Sequence, residues 1–120
     1  MKLIYIAGPY GDKGGYLSID RNIAHAREAA AWCARNGLGY YCPHLNSAHF
    51  EVIVPEVPVE FWYAMDLRFI EVADAMLVLP GWERSTGTQG EMEAIEKAGK
   101  SWWHWVDRDG LLDPLMWSTT

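Results

Sequence analysis

Basic residues, cysteine and long apolar runs are all scarce in this 120-residue sequence, and each shortage closes off a class of function. Ten Lys and Arg stand against sixteen Asp and Glu, a formal net charge of −6. Non-specific binding along a nucleic-acid polymer needs a basic surface, so that class is excluded. Cys33 and Cys42 are too few for a disulfide scaffold. With His44 and His49 they match no common zinc spacing, and no metal or cofactor is expected. No apolar run approaches the ~20 residues of a membrane span. The opening MKLIYIAGPYG breaks into Gly-Pro too soon for a signal peptide, so a cytoplasmic location with reduced thiols is expected.

What is present reads as one folded domain over residues 1–120, half hydrophobic and 22% charged. KLIYIA (2–7) is a fully buried strand. After a glycine-rich loop (8–16), Ser18 or Asp20 can cap a helix that runs to about Asn36 and stops at Gly37. Ile19, Ile23, Ala26, Ala30 and Cys33 form its inner stripe. A short strand at 39–43 leads into 43–59, whose three prolines and lack of period predict an irregular, functional connection. A second helix spans about 60–72 with Phe61, Met65, Phe69 and Val72 along one face. A strand at 75–80, a helix in 79–100 closed by Gly99, and a strand at 101–106 follow, with a short helix expected from about Asp113. Strands alternating with helices predict an α/β three-layer sandwich on a mostly parallel sheet, Rossmann- or flavodoxin-like, with right-handed crossovers. Ligands of such sheets bind beyond the carboxyl ends of the strands, the edge that receives the loops at 8–16, 43–59 and 80–87.

Those loops carry the candidate chemistry. Gly8, Gly11, Gly14 and Gly15 fit neither GxGxxG nor GxxxxGK[ST], so the first loop reads equally as a flexible turn or an anion cradle, with Lys13 and Arg21 nearby. His44, Asn46, His49 and Phe50 read as loop groups able to contact a ligand's polar edge. Trp62 and Trp82 stand near the same edge; each can stack on a base, but burial is the simpler reading of both. In LPGWERSTGTQGEMEAIEKAGK, Glu91 falls in about the first turn of a helix, where the macrodipole favours an anion. Ser85 there is an ordinary helix cap, and by periodicity alone Asp66 is an ordinary surface aspartate.

The order and spacing of IYIAGPY, an Asp within MDLRFIEVADAMLVLPG, then STGTQGE and AGK resemble the nucleoside 2-deoxyribosyltransferase superfamily over most of residues 3–100. That superfamily includes nucleotide N-glycosidases and uncharacterised, often phage-borne relatives. The resemblance implies Glu91 as nucleophile, Asp66 as the group that positions the nucleoside and protonates its base, and Tyr5 as an active-site tyrosine. Ser85 stands where monophosphate glycosidases bind phosphate and nucleoside transferases usually hold the 5'-hydroxyl with aspartate; together with Arg84 it implies a 5'-nucleotide. Gly8, Tyr10, Lys13, His44 and Gly87 complete the expected binding set. Glu93 departs from the pattern, since relatives often carry glycine there. The expected partner is a small nucleoside or nucleotide, with neither nucleic-acid polymer nor membrane. A first strand central in the sheet is expected, and so is a homodimer or larger homo-oligomer, with Trp102, Trp103 and Trp105 as candidate contacts. Rival readings are a transferase of unphosphorylated nucleosides, a cytokinin-releasing phosphoribohydrolase, a nucleotide sensor without turnover, and a plain interaction domain.

Overall fold

The computed structural model describes residues 1–11 and 16–113. Its centre is β1 (Leu3–Ala7), an unbroken apolar run with no solvent-facing side, as a strand flanked on both edges and covered on both faces requires. β1 pairs in parallel with β2 (Gly39–Tyr41) on one edge, Leu3 opposite Gly39. On the other edge it pairs in parallel with β3 (Ala75–Val78), Ile4 opposite Ala75 and Ala7 opposite Val78. β4 (Ser101–His104) lies parallel beyond β3, so the order is β2-β1-β3-β4. The expected parallel α/β sheet with a central first strand is what the chain forms.

Alternation along the strands divides the interior into two cores. Ile4, Ile6, Ala75 and Leu77 meet Ala26, Ala29, Ala30 and Cys33 of α1 (Tyr16–Arg35). Tyr5, Ala7, Met76 and Val78 meet Ile70 of α4 (Val59–Val72) and Met92 and Ile95 of α5 (Thr86–Lys97). The small residues of α1 let it sit close on the sheet. Trp103 and Trp105 pack against the first core and Trp102 against the second, so these side chains serve the chain's own interior. Lys100 of the AGK stretch has a local task as well: its Nζ donates to the carbonyls of Ile70 (3.0 Å) and Glu71 (2.6 Å) at the end of α4. Among the described residues no helix is long and apolar enough to cross a membrane.

Several boundaries and faces differ from the sequence reading. α1 begins at Tyr16, so Ser18 and Asp20 lie inside its first turns instead of capping it, and Ala29 takes the buried place expected of Ile19, which is half-buried. The 43–59 segment contains two single-turn helices, α2 (Pro43–Asn46) and α3 (Phe50–Ile53). One turn is too short to leave a period, although Pro43 at the first helical position was a usable start signal. On α4 the predicted stripe is buried only in part: Met65 and Phe69 are half-buried, Phe69 packing on the second core, while Phe61 is 50% and Val72 64% exposed and Ile70 is the buried residue. β4 stops at His104, and residues 105–112 continue as 3-10 turns. The helix expected after Asp113 lies outside the described residues, as does Lys13.

Candidate active site

The loops leaving the carboxyl ends of β1, β2 and β3 surround a cleft of about 560 Å³, with a smaller recess of about 260 Å³ between α4 and α5. Asp66 and Glu91 line both. Gly8, Tyr10 and His44 line the cleft from the first two loops, and Arg84, Ser85 and Gly87 from the third. All the described residues of the expected set except Tyr5 therefore share one cavity. Tyr5 lies beneath it.

The position of Gly8 is set by packing. Leu79 N–H donates to Ala7 O at 2.8 Å, drawing the chain beyond β3 against the end of β1. A Cβ at Gly8 would stand 2.7 Å from Leu79 Cβ, so only glycine fits. After Leu79, Gly81 turns the chain through φ +92° into a 3-10 turn, Trp82–Arg84, and Ser85 then caps α5. Ser85 Oγ accepts from Thr88 N–H (3.2 Å) and Thr88 Oγ1–H (2.8 Å), which leaves its own proton free to donate. The guanidinium of Arg84 is exposed beside the cleft and makes no ion pair among the described residues.

Glu91 sits in the second turn of α5, past the first turn where the dipole acts, so the expected electrostatic support for its anion is weak. Burial dominates instead. It pushes the carboxyl up from 4.5 to about 8, with Asp66 raising it further and the hydrogen bond from Tyr5 lowering it. That bond crosses the second core: the fully buried Tyr5 Oη donates to Glu91 Oε2. Burial and the neighbouring carboxylates hold the Tyr5 hydroxyl far above its ordinary range, so it remains a donor. Asp66, half-buried on α4, is raised by burial to about 6. The periodicity reading of a surface aspartate does not hold.

His44 is buried, and both of its ring nitrogens are engaged within the protein. Nε2 lies 2.7 Å from Pro9 O and Nδ1 3.7 Å from Cys42 Sγ. Burial lowers its pKa, so it is a neutral ring donating from Nε2. The Cys42 thiol is pushed up to about 12 by burial and stays protonated. Among the described residues no three His, Cys, Asp or Glu are placed to hold a metal. Tyr10 Oη donates to Glu51 (2.9 Å to Oε2) and accepts from His49 N–H at 2.7 Å, joining the first loop to α3.

Trp62 lines the cleft; Trp82 packs on the second core and stacks on His104, ring centroids 5.4 Å apart. Glu93 is exposed and lines neither the cleft nor the recess. Tyr63 and Glu51 are among the lining residues missed from sequence. Tyr63 stands one turn before Asp66 on α4, and i, i+3 spacing was a usable signal. Glu51 had none, lying in the segment without a period.

This fold is similar to that of the 2-desoxiribosyltransferase from Leishmania mexicana, with a TM-score of 0.61 and 19% identity over 87% of this chain. The chain spans 63% of that protein's length, and at this identity the likeness is one of fold. No curated protein matches the sequence. Residues 2–104 match the family described as Domain of unknown function (DUF7768), and the chain belongs to that family.

Proposed function

We propose that this chain cleaves or exchanges the N-glycosidic bond of a nucleoside 5'-monophosphate, ribo- or deoxyribo-, with Glu91 as nucleophile. The observation that carries the reading is the Tyr5–Glu91 hydrogen bond at the floor of a cleft that Asp66 also lines. Between an ionisation near 6 at Asp66 and one near 8 at Glu91 the pair holds one negative charge and one proton, which rests mainly on Glu91, so the reactive form is the tautomer with that proton on Asp66. A retaining glycosyl transfer needs that composition: an ionised nucleophile and a proton for the leaving group.

In the first step a Glu91 carboxylate oxygen bonds to C1' as the bond from C1' to the base nitrogen breaks, and the base leaves with the proton from Asp66. Tyr5 keeps its hydrogen bond to the other Glu91 oxygen and steadies the attacking group. In the second step water attacks C1', giving its proton to the Asp66 carboxylate, and Glu91 leaves; a second base in place of water gives exchange. At the start of α5 the Ser85 hydroxyl and Arg84 are available to the 5'-phosphate, where an aspartate would repel it. The apolar exposure of Val59, Phe61, Leu67 and Val72 on α4 supports self-association.

The test is release of free base from a panel of nucleosides and their 5'-monophosphates. Glu91→Gln should lower turnover by several orders of magnitude. With a 2-fluorinated sugar, wild type should accumulate a glycosyl adduct that mass spectrometry maps to the Glu91 peptide. A folded Glu91→Gln protein with wild-type turnover overturns the mechanism, and equal use of unphosphorylated nucleosides overturns the phosphate assignment.

A further inference from the structure

The chemistry on the two sides of the carboxyl pair differs. On the outer side the cleft has Arg84 and Ser85 as donors, while the wall built by α2 and α3 has spent its polar groups inside the protein. His44 Nε2 is bound to Pro9 O, Ser47 Oγ–H to Pro43 O and Tyr10 Oη–H to the Glu51 carboxylate. The recess between α4 and α5 is the reverse. Its ionisable side chains are Tyr63, Asp66 and Glu91, with no Lys, Arg or His in the lining. Among the described residues the side chains of Tyr63, Asp66 and Thr86 make no hydrogen bond or ion pair, and Tyr5 engages only one Glu91 oxygen. From α5 the recess also receives Gly87 and Gly90. Gly90 lies inside the helix, where alanine is the better helix former. A Cβ at Gly90 would meet nothing within 4 Å, so the protein's own packing does not call for glycine there. Close approach of a ligand to the helix backbone does.

We propose that this recess seats the base of the nucleotide and that Gly90 sets the size of base it admits. The proposal rests on the nucleotide reading above and adds to it the place of each part of the substrate. Asp66 and Glu91 line both cavities, so C1' and the glycosidic nitrogen belong at the junction. The base and C5' are carried by the two carbons that flank the ring oxygen of the sugar. A phosphate drawn to Arg84 and Ser85 in the cleft therefore sends the base to the other side of the carboxyl pair. Charge sorts the parts in the same way. A recess with two carboxyls and no cation repels a phosphate, whereas a neutral flat ring fits between Tyr63 and Leu67 of α4 and the bare backbone at Gly87 and Gly90 of α5. Its volume of about 260 Å³ corresponds to roughly nine waters at ~30 Å³ each, room for a two-ring base. Asp66, with no other partner, is left for the base nitrogen that it protonates.

Calorimetric binding of AMP, GMP, CMP, UMP and ribose 5-phosphate, with their deoxyribo-forms, decides the matter. The full chain carries Glu91→Gln so that no ligand is consumed, and is compared with the same chain carrying Gly90→Ala or Gly90→Leu. Ribose 5-phosphate has the sugar and the phosphate without the base, so it reports damage to the rest of the site. Before Gly90 is changed, the nucleotides should bind more tightly than ribose 5-phosphate. Gly90→Ala should weaken them roughly tenfold and Gly90→Leu further, purines more than pyrimidines, with ribose 5-phosphate unchanged. Gly90→Ala should also raise the thermal midpoint, as replacing a glycine inside a helix does; if the leucine variant does not fold, the alanine variant decides alone. Nucleotide affinities untouched by both substitutions, or a loss that ribose 5-phosphate shares, overturn the inference and leave the nucleotide reading standing. A loss equal on purines and pyrimidines overturns the role of Gly90 in size. If neither the nucleotides nor ribose 5-phosphate bind before Gly90 is changed, the nucleotide reading fails and this inference falls with it.

Discussion

Replacing Glu91 by glutamine should make the folded chain more stable, increasingly so as pH rises. In the folded state the carboxyl ionises at about 8, against 4.5 ordinarily, so the folded chain retains a proton that the unfolded chain has released. A carboxyl shifted upward contributes stability that is complete below pH 4.5 and is lost as pH climbs through 8. At ~1.36 kcal/mol for each pH unit the full loss is ~5 kcal/mol, and water in the cleft reduces it to roughly 2–4 kcal/mol. Glutamine cannot ionise, yet its carbonyl still accepts from Tyr5. Urea unfolding of both proteins at pH 5 and pH 9 should therefore show the variant gaining roughly 2–4 kcal/mol between those pH values. In thermal unfolding this corresponds to roughly 3–5 °C for each kcal/mol in a chain of this length. If Glu91 were there to complement the helix dipole, the substitution would instead remove a favourable charge of about 0.3–1 kcal/mol at neutral pH. A variant less stable than wild type by the same amount at both pH values refutes the burial argument.

Three further outcomes are expected. Base release against pH should be bell-shaped with limbs near 6 and 8, and Asp66→Asn should abolish the alkaline limb and move the remaining ionisation below 8, since the Asp66 charge no longer opposes ionisation of Glu91; a profile flat from pH 5 to 9 contradicts this. Ser85→Ala removes the cap of α5 at a cost of ~1 kcal/mol in denaturation, and by losing a charge-assisted bond of roughly 1.5–3 kcal/mol it should lower use of 5'-monophosphates by one to two orders of magnitude while leaving nucleosides alone; equal loss on both substrates would show a purely structural serine. Gly8→Ala drives a Cβ to within 2.7 Å of Leu79 Cβ and should destabilise by roughly 1–3 kcal/mol in urea unfolding, whereas no loss would mean the two chain segments separate freely.

The parts of the fold that were legible are those whose signal is contained within one element. LIYIA in β1 and AMLV in β3 are apolar on both faces, and only a strand covered on both sides buries such a run. Small residues along α1 announced its close packing, and alternation with helices announced a parallel sheet. Features that depend on neighbours were lost. The buried face of α4 is decided by where α5 and the sheet meet it, and its apolar residues are too many to mark one side, so the stripe holds at Met65 and Phe69 and fails at its ends, Phe61 and Val72. The turns of α2 and α3 are each four residues long, less than the span over which a 3.6-residue period becomes visible.

For the cleft the division runs deeper. Ser85 and Gly81 are local punctuation and readable as such, but the surroundings of Glu91 are made by Tyr5, 86 residues earlier in the chain. No window on the sequence around Glu91 contains that partner, and the dipole argument that filled its place assigned the carboxyl the wrong dominant force. Asp66 shows the same failure in a milder form: on its own helix it lies at the flank of an apolar stripe, and only the approach of α5 half-buries it. Both carboxyls sit where burial resists their charge and where each resists the other's. Two amides of the same shape would cost less there. Local rules broken at a stability cost, with no compensating ion pair from Lys or Arg among the described residues, are what a reactive site requires and a structural core avoids. That opposition between what folding favours and what the cleft contains, more than the resemblance of short motifs, is the physical reason to look for chemistry at Glu91.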